Sequence, residues 1–560
     1  MKTVIKNAKI YTPRGIKHGI TIEDDRIIGF DESEQATREP ADSQPAELEI
    51  DARGKTVVAG FHDSHMHLLG IGRMLSILRL QEARSIADIV RLGRQYIAAN
   101  PDKDHIIGRG WNQDYFTDGS AIPTKDDLDR ICTDRPIVLT RVCGHIGTAN
   151  SKALEMAGVT KDTPDPDGGV FVRDAQGAPN GILHETALDY VQRIFPDISE
   201  AEIEQYFRKA MDYVSALGIT AVQVNDLYAA NQEKVLRVLN RLDRNGELKV
   251  RVFHQFTYED EQALEAFLRV WADSELFSDR HRLSALKLYK DGSLGARTAL
   301  MRRPYRDDPT TRGVETLSDE KMKALGLIAK KYNLPLVVHA IGDGAIAQTI
   351  DVMAAINEAG NPLRSGLIHH QITDLELLRK TAKQHLHVFY QPIFLHYDMH
   401  VLADRVGTEL TATSYAFKTQ MDLGARTSYG TDAPIEDPNP LACLYCAVTR
   451  KDLTGNPPEG FVATERVTVA EALANYSEAS AYAVRMEDRL GRLDVGYYAD
   501  LAILSDDPYA VEPDAIKDIQ VLLTMMNGQV TFDSLGSRPR TPRVSRPRTP
   551  RVLDKTELLD

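Results

Sequence analysis

Residues Val57 to Leu69 have the sequence VVAGFHDSHMHLL, in which a short apolar run leads directly into three histidines and one aspartate. His65 and His67 are one residue apart, so on an extended strand their side chains point to the same side. Two imidazoles at the end of a buried strand can share one divalent ion. An isolated His-x-His pair is more often a pair of satisfied histidines. The interpretation as a metal site therefore depends on further ligands elsewhere in the chain.

The middle of the chain alternates strand-like apolar runs with helical stretches, which is typical of parallel β/α architecture. The candidate strands are residues 57–63, 136–142, 220–225, 249–256, 283–291, 335–342, 366–372, 387–393 and 426–432. Residues 70–200 are too many for one barrel helix, so we assign the strand at 136–142 to an inserted subdomain. The other eight strands predict a (β/α)8 TIM barrel in the α/β class.

Both ends of the chain have the alternation and turn signals of short antiparallel strands. We expect residues 1–55 and 485–535 to pair into one composite β-sandwich. The barrel then occupies residues 56–484 and contains the inserted subdomain at about 70–200, after the first barrel strand. Residues 536–560 include the octapeptide SRPRTPRV twice, and this Arg/Pro-rich composition favours an extended, solvated tail.

Composition excludes several classes of function. A net charge of −14 disfavours nucleic-acid binding, which depends mainly on basic residues. No apolar run approaches the length of a membrane span, and the first residues lack the apolar region of a signal peptide. Four cysteines in 560 residues argue against a disulfide framework, and Cys443 and Cys446 have no second Cys-x-x-Cys pair to complete a zinc site. We expect a cytoplasmic protein with no membrane partner.

Several predicted barrel strands end in a side chain suited to a metal site, and in a (β/α)8 barrel these strand ends share one mouth. In strand order the candidates are His65, His67, Lys287, His339, His369, His370 and Asp432. A single histidine at a strand end would be unremarkable, whereas five such elements in strand order are hard to attribute to chance. Histidines and one carboxylate meeting there predict a zinc site with room for water.

The motifs around these residues are similar to those of a known family. They include AGFHDSHMHL, GRGWNQDYF, GHIGTANSKALEMAG, ALKLYKDGSLGARTAL, VVHAIGDGAI, LIHHQITD and SYGTDAPIEDPNPL. The chain resembles the amidohydrolase superfamily, in the amidohydrolase family 3 branch that includes N-substituted formamide deformylase. The similar stretches cover nearly the whole chain up to about Gly536.

The resemblance implies a role for each candidate ligand. His65 and His67 would bind the more buried metal, and His339 and His369 would hold the second. Lys287 would be carboxylated and bridge the two ions. Asp432 would contact a metal and take the proton from the attacking water. The implied cofactor is Zn²⁺, as one or two ions, with the binuclear form favoured.

Further residues of the similar stretches are expected to line or cap a substrate pocket. Those of the inserted subdomain are Trp111, His145 and Glu185, and those of the barrel loops are Asp291, Arg297 and His370. Asp291 and Arg297 follow the strand of Lys287, in a loop that should open on the barrel mouth.

The predicted function is metal-dependent hydrolysis of a non-peptide C–N bond, of the amide or formamide type, in a small molecule. One alternative is a deaminase of a cyclic amidine. Such enzymes of this superfamily usually have His-x-x-Glu after the fifth strand, where this chain has Gly342. A second alternative is a catalytically inactive barrel scaffold, although such a protein should have lost ligands. The expected partners are a small amide substrate and, in a homodimer or higher homo-oligomer, further copies of the chain.

Overall fold

The computed structural model describes residues 1–32, 47–119 and 121–536. The tail that contains the repeat SRPRTPRV, predicted to be extended and solvated, lies outside the described residues. The chain forms two compact units, of which the first contains Met1–Gly70 and the described residues from Phe207 onwards. The second unit contains Ile71–Tyr206.

Eight parallel strands form a nearly closed, TIM-barrel-like sheet in the first unit. In chain order they are β1 (Phe61–Met66), β2 (Ile219–Tyr228), β3 (Arg251–Thr257), β4 (His281–Tyr289), β5 (Leu336–Ala340), β6 (Gly366–His369), β7 (His387–Tyr390) and β8 (Thr427–Tyr429). Each strand pairs with its neighbours in chain order, and nearly all of their residues are buried, as expected for a parallel sheet covered on both faces. The prediction of an eight-stranded parallel barrel is confirmed.

The seam between β8 and β1 is closed by backbone hydrogen bonds just beyond the strand ends. The Asp432 N–H donates to the His65 carbonyl at 2.8 Å, and the His67 N–H donates to the Ala433 carbonyl at 2.7 Å. Gly430 has no side chain at this seam, where a Cβ atom would lie 2.6 Å from the His65 nitrogen. The close approach of the two strands therefore requires glycine.

The predicted first strand, residues 57–63, is two strands in the structure, so this prediction was wrong. Thr56–Ala59 pairs with strands from both chain ends, whereas β1 begins only at Phe61. The break is at Gly60, whose N–H donates to Asp500, while the next N–H, that of Phe61, donates to Gly218 beside β2. Both segments are apolar, and the change of pairing partner leaves no trace in the residue pattern.

Strands from the two chain ends form two further sheets in the first unit. In spatial order, one contains Arg26–Asp31, Gly19–Glu23, Lys2–Lys6 and Leu48–Asp51, and the other contains Gln529–Asp533, Val521–Met526, Leu501–Leu504, Thr56–Ala59, Lys9–Thr12 and Gly15–Lys17. Ile5 and Ile20 of the first sheet share a core with Ile10, Leu501 and Leu523 of the second. The two sheets are thus packed together through apolar side chains.

The second unit has a six-stranded mixed sheet of its own. In spatial order its strands are Gly169–Arg173, Pro179–Glu185, Ile146–Ala149, Ile137–Arg141, Ile106–Trp111 and Leu78–Arg79. The strand predicted at 136–142 is therefore outside the barrel sheet. Two clusters of buried apolar residues cover this sheet and include Leu139 and Phe171.

Helices connect the barrel strands and cover the sheets. Their bounds are Leu68–Met74, Ile86–Ala99, Lys125–Asp129, Ser151–Met156, Thr186–Gln192, Glu200–Ala216, Gln232–Arg244, Glu261–Trp271, Asp319–Lys331, Asp343–Ile356, Leu375–Lys383, Leu395–Asp398, Leu402–Thr411, Phe417–Asp422, Pro440–Thr449, Val469–Asn475 and Glu478–Ala483, with short 3₁₀ helices at Gln113–Tyr115, Pro392–Phe394, Ala463–Glu465 and Pro513–Asp518. Side chains such as Asp260, Ser318 and Asp374 cap the helices that follow them by accepting a backbone N–H. None of the described helices is long and apolar enough to cross a membrane.

Candidate metal centre

Three of the predicted ligands meet at the barrel mouth, where β1 and β8 end. Donor atoms of His65, His67 and Asp432 all lie within 4.8 Å of one another. His65 occupies the fifth position of β1, and His67 follows that strand by one residue, so alternation aims both rings to one side. Asp432 comes three residues after β8 and has a left-handed backbone, with φ of 56°.

Both imidazoles approach the same carboxylate oxygen. The Asp432 Oδ1 atom lies 3.3 Å from His65 Nε2 and 3.2 Å from His67 Nε2. Neither contact has hydrogen-bond geometry, and within the described part of the chain this buried oxygen has no hydrogen-bond partner. Burial opposes ionisation of Asp432, but N–H groups of the two imidazoles, when they face this carboxyl, hold its pKa well below the usual range. A cation would take over this role when Nε2 of each ring is unprotonated. Three ligand atoms that surround a point without bonding one another fit a cation between them.

The hydrogen bonds of the Nδ1 atoms of His65 and His67 determine that Nε2 is the ring nitrogen available to a metal. His65 Nδ1 donates to Gln255 Oε1 at 2.5 Å, and His67 Nδ1 donates to the Asn225 carbonyl at 2.9 Å. The Gln255 amide nitrogen donates in turn to the Ser64 carbonyl, which assigns its oxygen to the histidine. With Nδ1 protonated, each Nε2 keeps a lone pair towards Asp432. This is the usual way in which an outer partner orients a metal-binding histidine.

His369, the last residue of β6, approaches Asp432 from the other side. Its Nε2 lies 4.0 Å from Asp432 Oδ2, and its Nδ1 donates to Gln391 Oε1 at 2.7 Å. Its ring centroid lies 4.4 Å from that of His339 on β5. His339 uses its other nitrogen, because Nε2 donates to the Gly292 carbonyl at 3.0 Å and leaves Nδ1 as the free lone pair.

Lys287 on β4 is fully buried at the same mouth. In the described part of the chain its Nζ has no hydrogen-bond partner, and it lies 4.8 Å from the centroid of the Tyr289 ring. Burial lowers the pKa of the Lys287 amine to about 7, although the negative charges of Asp432 and Asp291 act in the opposite direction. A large fraction of this amine is therefore uncharged near neutral pH. Burial, with the nearby Lys287 second, also lowers the pKa of His65 to about 4 and that of His339 to about 3.

The barrel-loop residues predicted to contact substrate are engaged with protein groups. Asp291 is buried and accepts backbone N–H groups from Leu300, Ile341 and Gly342 at 2.8–3.1 Å, so it fixes the loop after β4. Burial raises the pKa of the Asp291 carboxyl to about 7. Arg297 forms an ion pair with Asp307 at 2.8 Å. Substrate contact by Asp291 or Arg297 stays a prediction.

His370 does not join the cluster, which corrects the expectation for this residue. Its Nδ1 lies 3.2 Å from the Tyr390 hydroxyl, and its Nε2 lies 3.1 Å from Thr381 Oγ1 on the helix Leu375–Lys383. The ring is completely buried, and both of its nitrogens already have protein partners. The side chain that follows His369 is turned from the mouth into the layer between strand and helix. It has no free nitrogen for a substrate.

The predicted pocket residues of the second unit have two different environments. Trp111 is fully buried in an apolar core, and its indole N–H donates to the Leu139 carbonyl at 3.3 Å. Packing accounts for Trp111, so the structure gives no support to a substrate contact there. His145 and Glu185 are exposed, and His145 Nδ1 lies 2.9 Å from Glu185 Oε2. Their predicted contact with substrate stays a prediction.

The sequence interpretation missed the residues that orient the histidines. Gln391 directly follows β7, whereas Asn225 and Gln255 lie within the carboxyl-terminal halves of β2 and β3; the three stand in FYQP, TAVQVN and VFHQF. Asn225 also accepts the Tyr289 hydroxyl at 2.5 Å through its side-chain oxygen. The rule that identified the ligands, a polar residue at the carboxyl end of a barrel strand, could have found these amides as well.

Comparison with known proteins identifies relatives that are similar over most of the chain. The chain is 33% identical to a putative amidohydrolase, YtcJ, of Bacillus subtilis over 95% of this chain and 100% of that protein. It is 24% identical to N-substituted formamide deformylase of Arthrobacter pascens over 87% of this chain and 90% of that protein.

A solved structure is similar over most of its length. An uncharacterized metal-dependent hydrolase from Pyrococcus furiosus superposes with a TM-score of 0.74 and 29% identity, over 91% of this chain and 100% of that chain. The model of the amidohydrolase family (Amidohydro_3) matches residues 48–532, which include every predicted metal ligand. The chain belongs to the amidohydrolase family.

Proposed function

We propose that this protein is a metal-dependent amidohydrolase that cleaves a non-peptide C–N bond, of the amide or formamide type, in a small molecule. One observation carries the proposal. The free nitrogens of His65 and His67 converge on an ionised Asp432 whose Oδ1 has no hydrogen-bond partner among the described residues. A buried carboxylate left in this state is costly unless a cation compensates it.

The donor set fits one or two zinc ions. Imidazole nitrogens and a carboxylate are common zinc ligands, and a catalytic zinc keeps one position open. His65, His67 and Asp432 would hold one ion, and His339 and His369 would hold a second. Lys287 would be a further ligand once it is carboxylated. A bound zinc ion supplies Lewis-acid activation of water and of the scissile carbonyl.

Lys287 can serve in such a site only after modification, because an ammonium has no lone pair. Its lowered pKa leaves an uncharged amine, whose nitrogen can form a bond to the carbon of CO2 and release one proton. The product is a carbamate whose two oxygens share one negative charge and can both serve as ligands. A buried amine with no hydrogen-bond partner among the described residues supports this proposal.

Asp432 is the proposed general base and acid. Its carboxylate is ionised, so it can accept a proton from the attacking water and then deliver that proton to the leaving amine. The left-handed backbone and the hydrogen bond from the Asp432 N–H to His65 fix the carboxylate beside the histidines. Positioning of this kind lowers the cost of bringing base and water together.

The proposed bond type rests on the name of one relative and on the lack of room for a larger side chain at Gly342. The relative from Arthrobacter pascens bears the name N-substituted formamide deformylase. A deaminase of a cyclic amidine is disfavoured by Gly342, three residues after His339. A Cβ atom at Gly342 would lie 2.1 Å from the Leu300 carbonyl oxygen, so the glutamate of such enzymes has no room at this position.

The proposed function is tested by activity on a panel of N-formyl and N-acyl amines, with a cyclic amidine and dipeptides as comparison substrates. Protein reconstituted with zinc and bicarbonate is expected to release amine from at least one member of the amide group. Asp432→Asn serves as the matched control for contaminating hydrolases. If only the cyclic amidine reacts, with release of ammonia, the proposed amide or formamide specificity is wrong and the protein is a deaminase. Amine release that persists in Asp432→Asn at the wild-type rate would overturn the proposed mechanism.

A further inference from the structure

A polar cavity lies at the end of the barrel opposite the metal centre. Its volume is about 260 Å³. Its lining includes Arg282 and Ser284 near the start of β4, Pro335 just before β5, and Val484 and Arg485 after the helix Glu478–Ala483. None of these residues takes part in the proposed hydrolysis.

Two guanidinium groups of this cavity lack a carboxylate. Among the described residues, neither Arg282 nor Arg485 has an acidic ion-pair partner, and Arg282 donates only to the Val484 carbonyl. Nearby acids are already committed. Asp279 accepts Arg489 at 2.7 Å, and Glu487 accepts two hydrogen bonds from Arg364 at 2.7 and 2.9 Å. Asp279 and Glu487 therefore act on Arg282 and Arg485 at longer range, without forming an ion pair with either among the described residues.

The electrostatic environment supports this conclusion. Burial lowers the pKa of Arg282, the negative charge of Asp279 raises it, and the positive charges of Arg489 and Arg485 lower it. Burial and the neighbouring Arg364 likewise lower the pKa of Arg485. An anion placed between these side chains would relieve the repulsion among them.

One further feature of the cavity, an unsatisfied hydroxyl, indicates a ligand. Ser284 Oγ is buried at the cavity and has no hydrogen-bond partner within the described chain. An unsatisfied buried hydroxyl is costly and calls for a partner. Arg485 has a left-handed backbone with φ of 57°, which is uncommon for a residue with a side chain. This conformation ends the helix Glu478–Ala483, because the Arg485 N–H donates to the Tyr482 carbonyl and the Met486 N–H donates to the Ala481 carbonyl.

We propose that this cavity binds a small oxyanion of the phosphate or sulfate class between Arg282 and Arg485, with the Ser284 hydroxyl as a third donor. The planar fork of arginine matches the oxygen spacing of such anions. The bound anion would connect the start of β4 to the turn at Val484 and Arg485. Because only the folded chain contains this cavity, binding would also stabilise the fold.

The proposal is tested by isothermal titration calorimetry of the full chain with inorganic phosphate and, separately, with sulfate. The ionic strength is kept constant with chloride. Saturable binding is expected for the wild type. Arg485→Gln should weaken it at least tenfold, and Ser284→Ala should weaken it several-fold. Arg14→Gln removes an exposed arginine that does not line the cavity and should leave the affinity unchanged. Circular dichroism checks that each variant is folded.

Phosphate can also bind a metal centre, so the titration is repeated after chelation of metals. Binding that persists after chelation and depends on Arg485 supports the cavity. Phosphate that binds no better than chloride would contradict the proposal. An Arg485→Gln or Ser284→Ala variant that binds phosphate as tightly as the wild type would contradict it as well. If Arg485→Gln fails to fold, the phosphate affinities of Arg485→Lys and Ser284→Ala are compared with that of the wild type instead.

Discussion

Lys287 brings a fully buried amine to a site that also contains four imidazoles and an ionised carboxylate. An ammonium there would be desolvated and, among the described residues, without a hydrogen-bond partner. The lowered pKa shows how burial resolves this conflict, because the amine gives up its proton near neutral pH. The uncharged form is also the one that can react with CO2. One environment thus accounts for both the location of Lys287 and its proposed modification.

We expect reconstitution of the metal centre to depend on bicarbonate through Lys287. Wild-type protein stripped of metal should regain more zinc per chain with bicarbonate than without it. Lys287→Met has a similar volume and cannot form a carbamate, so its zinc content should be lower and independent of bicarbonate. Elemental analysis after gel filtration measures both. Equal bicarbonate dependence in the two proteins would exclude Lys287 as the modified residue.

Asp432→Asn should separate metal binding from catalysis. The amide keeps the shape of the side chain and one ligand oxygen but cannot accept the proton. Turnover is expected to fall by ~10²-fold or more, as for removal of a general base, with zinc content close to that of the wild type. Steady-state kinetics and elemental analysis on the same sample check this. Turnover at the wild-type level would assign the base to another residue.

At the scale of elements, the residues at the carboxyl ends of the barrel strands could be predicted from the sequence, whereas the division of residues 57–63 between two sheets could not. The ligands His65, His339, His369 and Asp432 follow from one rule, since polar residues that end parallel strands share a mouth. The division at Gly60 could not be predicted, because it depends on a contact with Asp500, more than 400 residues away.

The pair His369 and His370 shows the same limit at one strand end. Both are histidines at the end of β6, and only the packing of the helix Leu375–Lys383 shows that His370 is directed away from the mouth. Side-chain alternation separates neighbours but does not say which of the two faces the mouth. That choice is made by elements that are distant in the chain.

A buried histidine pair links β3 and β4 and should make stability depend on pH. His281 Nδ1 donates to Asn240 Oδ1 at 3.1 Å, so its Nε2 accepts the hydrogen bond from His254 Nε2 at 2.7 Å. Both rings are neutral, and burial lowers the pKa of His281 to about 4. Below pH ~6.5 this histidine therefore binds a proton in the unfolded chain, whereas in the folded chain it stays neutral until the pH approaches 4. Stability is retained above pH ~6.5 and falls as the pH drops towards 4.

We expect His281→Gln to reduce this pH dependence. The free energy of unfolding should fall less steeply between pH 6.5 and 4 than in the wild type, by an amount of the order of 2 kcal/mol. Denaturant unfolding at several pH values measures the slope. The control is His385→Gln, which changes an exposed histidine and should leave the slope unchanged. Identical slopes in His281→Gln and the wild type would show that the pair does not govern acid unfolding.

At the scale of the whole molecule, the metal centre and the closure of the barrel use the same residues. Asp432 and His65 bond to each other through their backbones at the seam and meet again through their side chains at the mouth. Asp63 reinforces this seam by accepting the Thr431 hydroxyl at 2.7 Å and the His65 N–H at 3.0 Å. A change that opens the seam should therefore disturb the metal centre.

Gly430→Ala should open the seam. The added Cβ would lie 2.6 Å from the His65 nitrogen, and backbone atoms cannot move aside as the end of a flexible side chain can. We expect a loss of ~2–4 kcal/mol in the free energy of unfolding, within the range for overpacking and strain, together with weaker zinc binding. Gly29→Ala, where a Cβ would meet nothing within 4 Å, should change stability by less than ~0.5 kcal/mol. Equal stability of the two variants would contradict the role of the seam.

The metal content of the purified chain, before and after reconstitution with zinc and bicarbonate, is the most direct test of the proposed metal centre. The geometry of His65, His67 and Asp432 predicts one or two zinc ions per chain in the wild type. The double variant His65→Ala/His67→Ala should lose the ion held by these residues while remaining folded. Elemental analysis that finds no bound divalent metal in reconstituted wild-type protein, or the same metal content in the double variant, would contradict the existence of this centre.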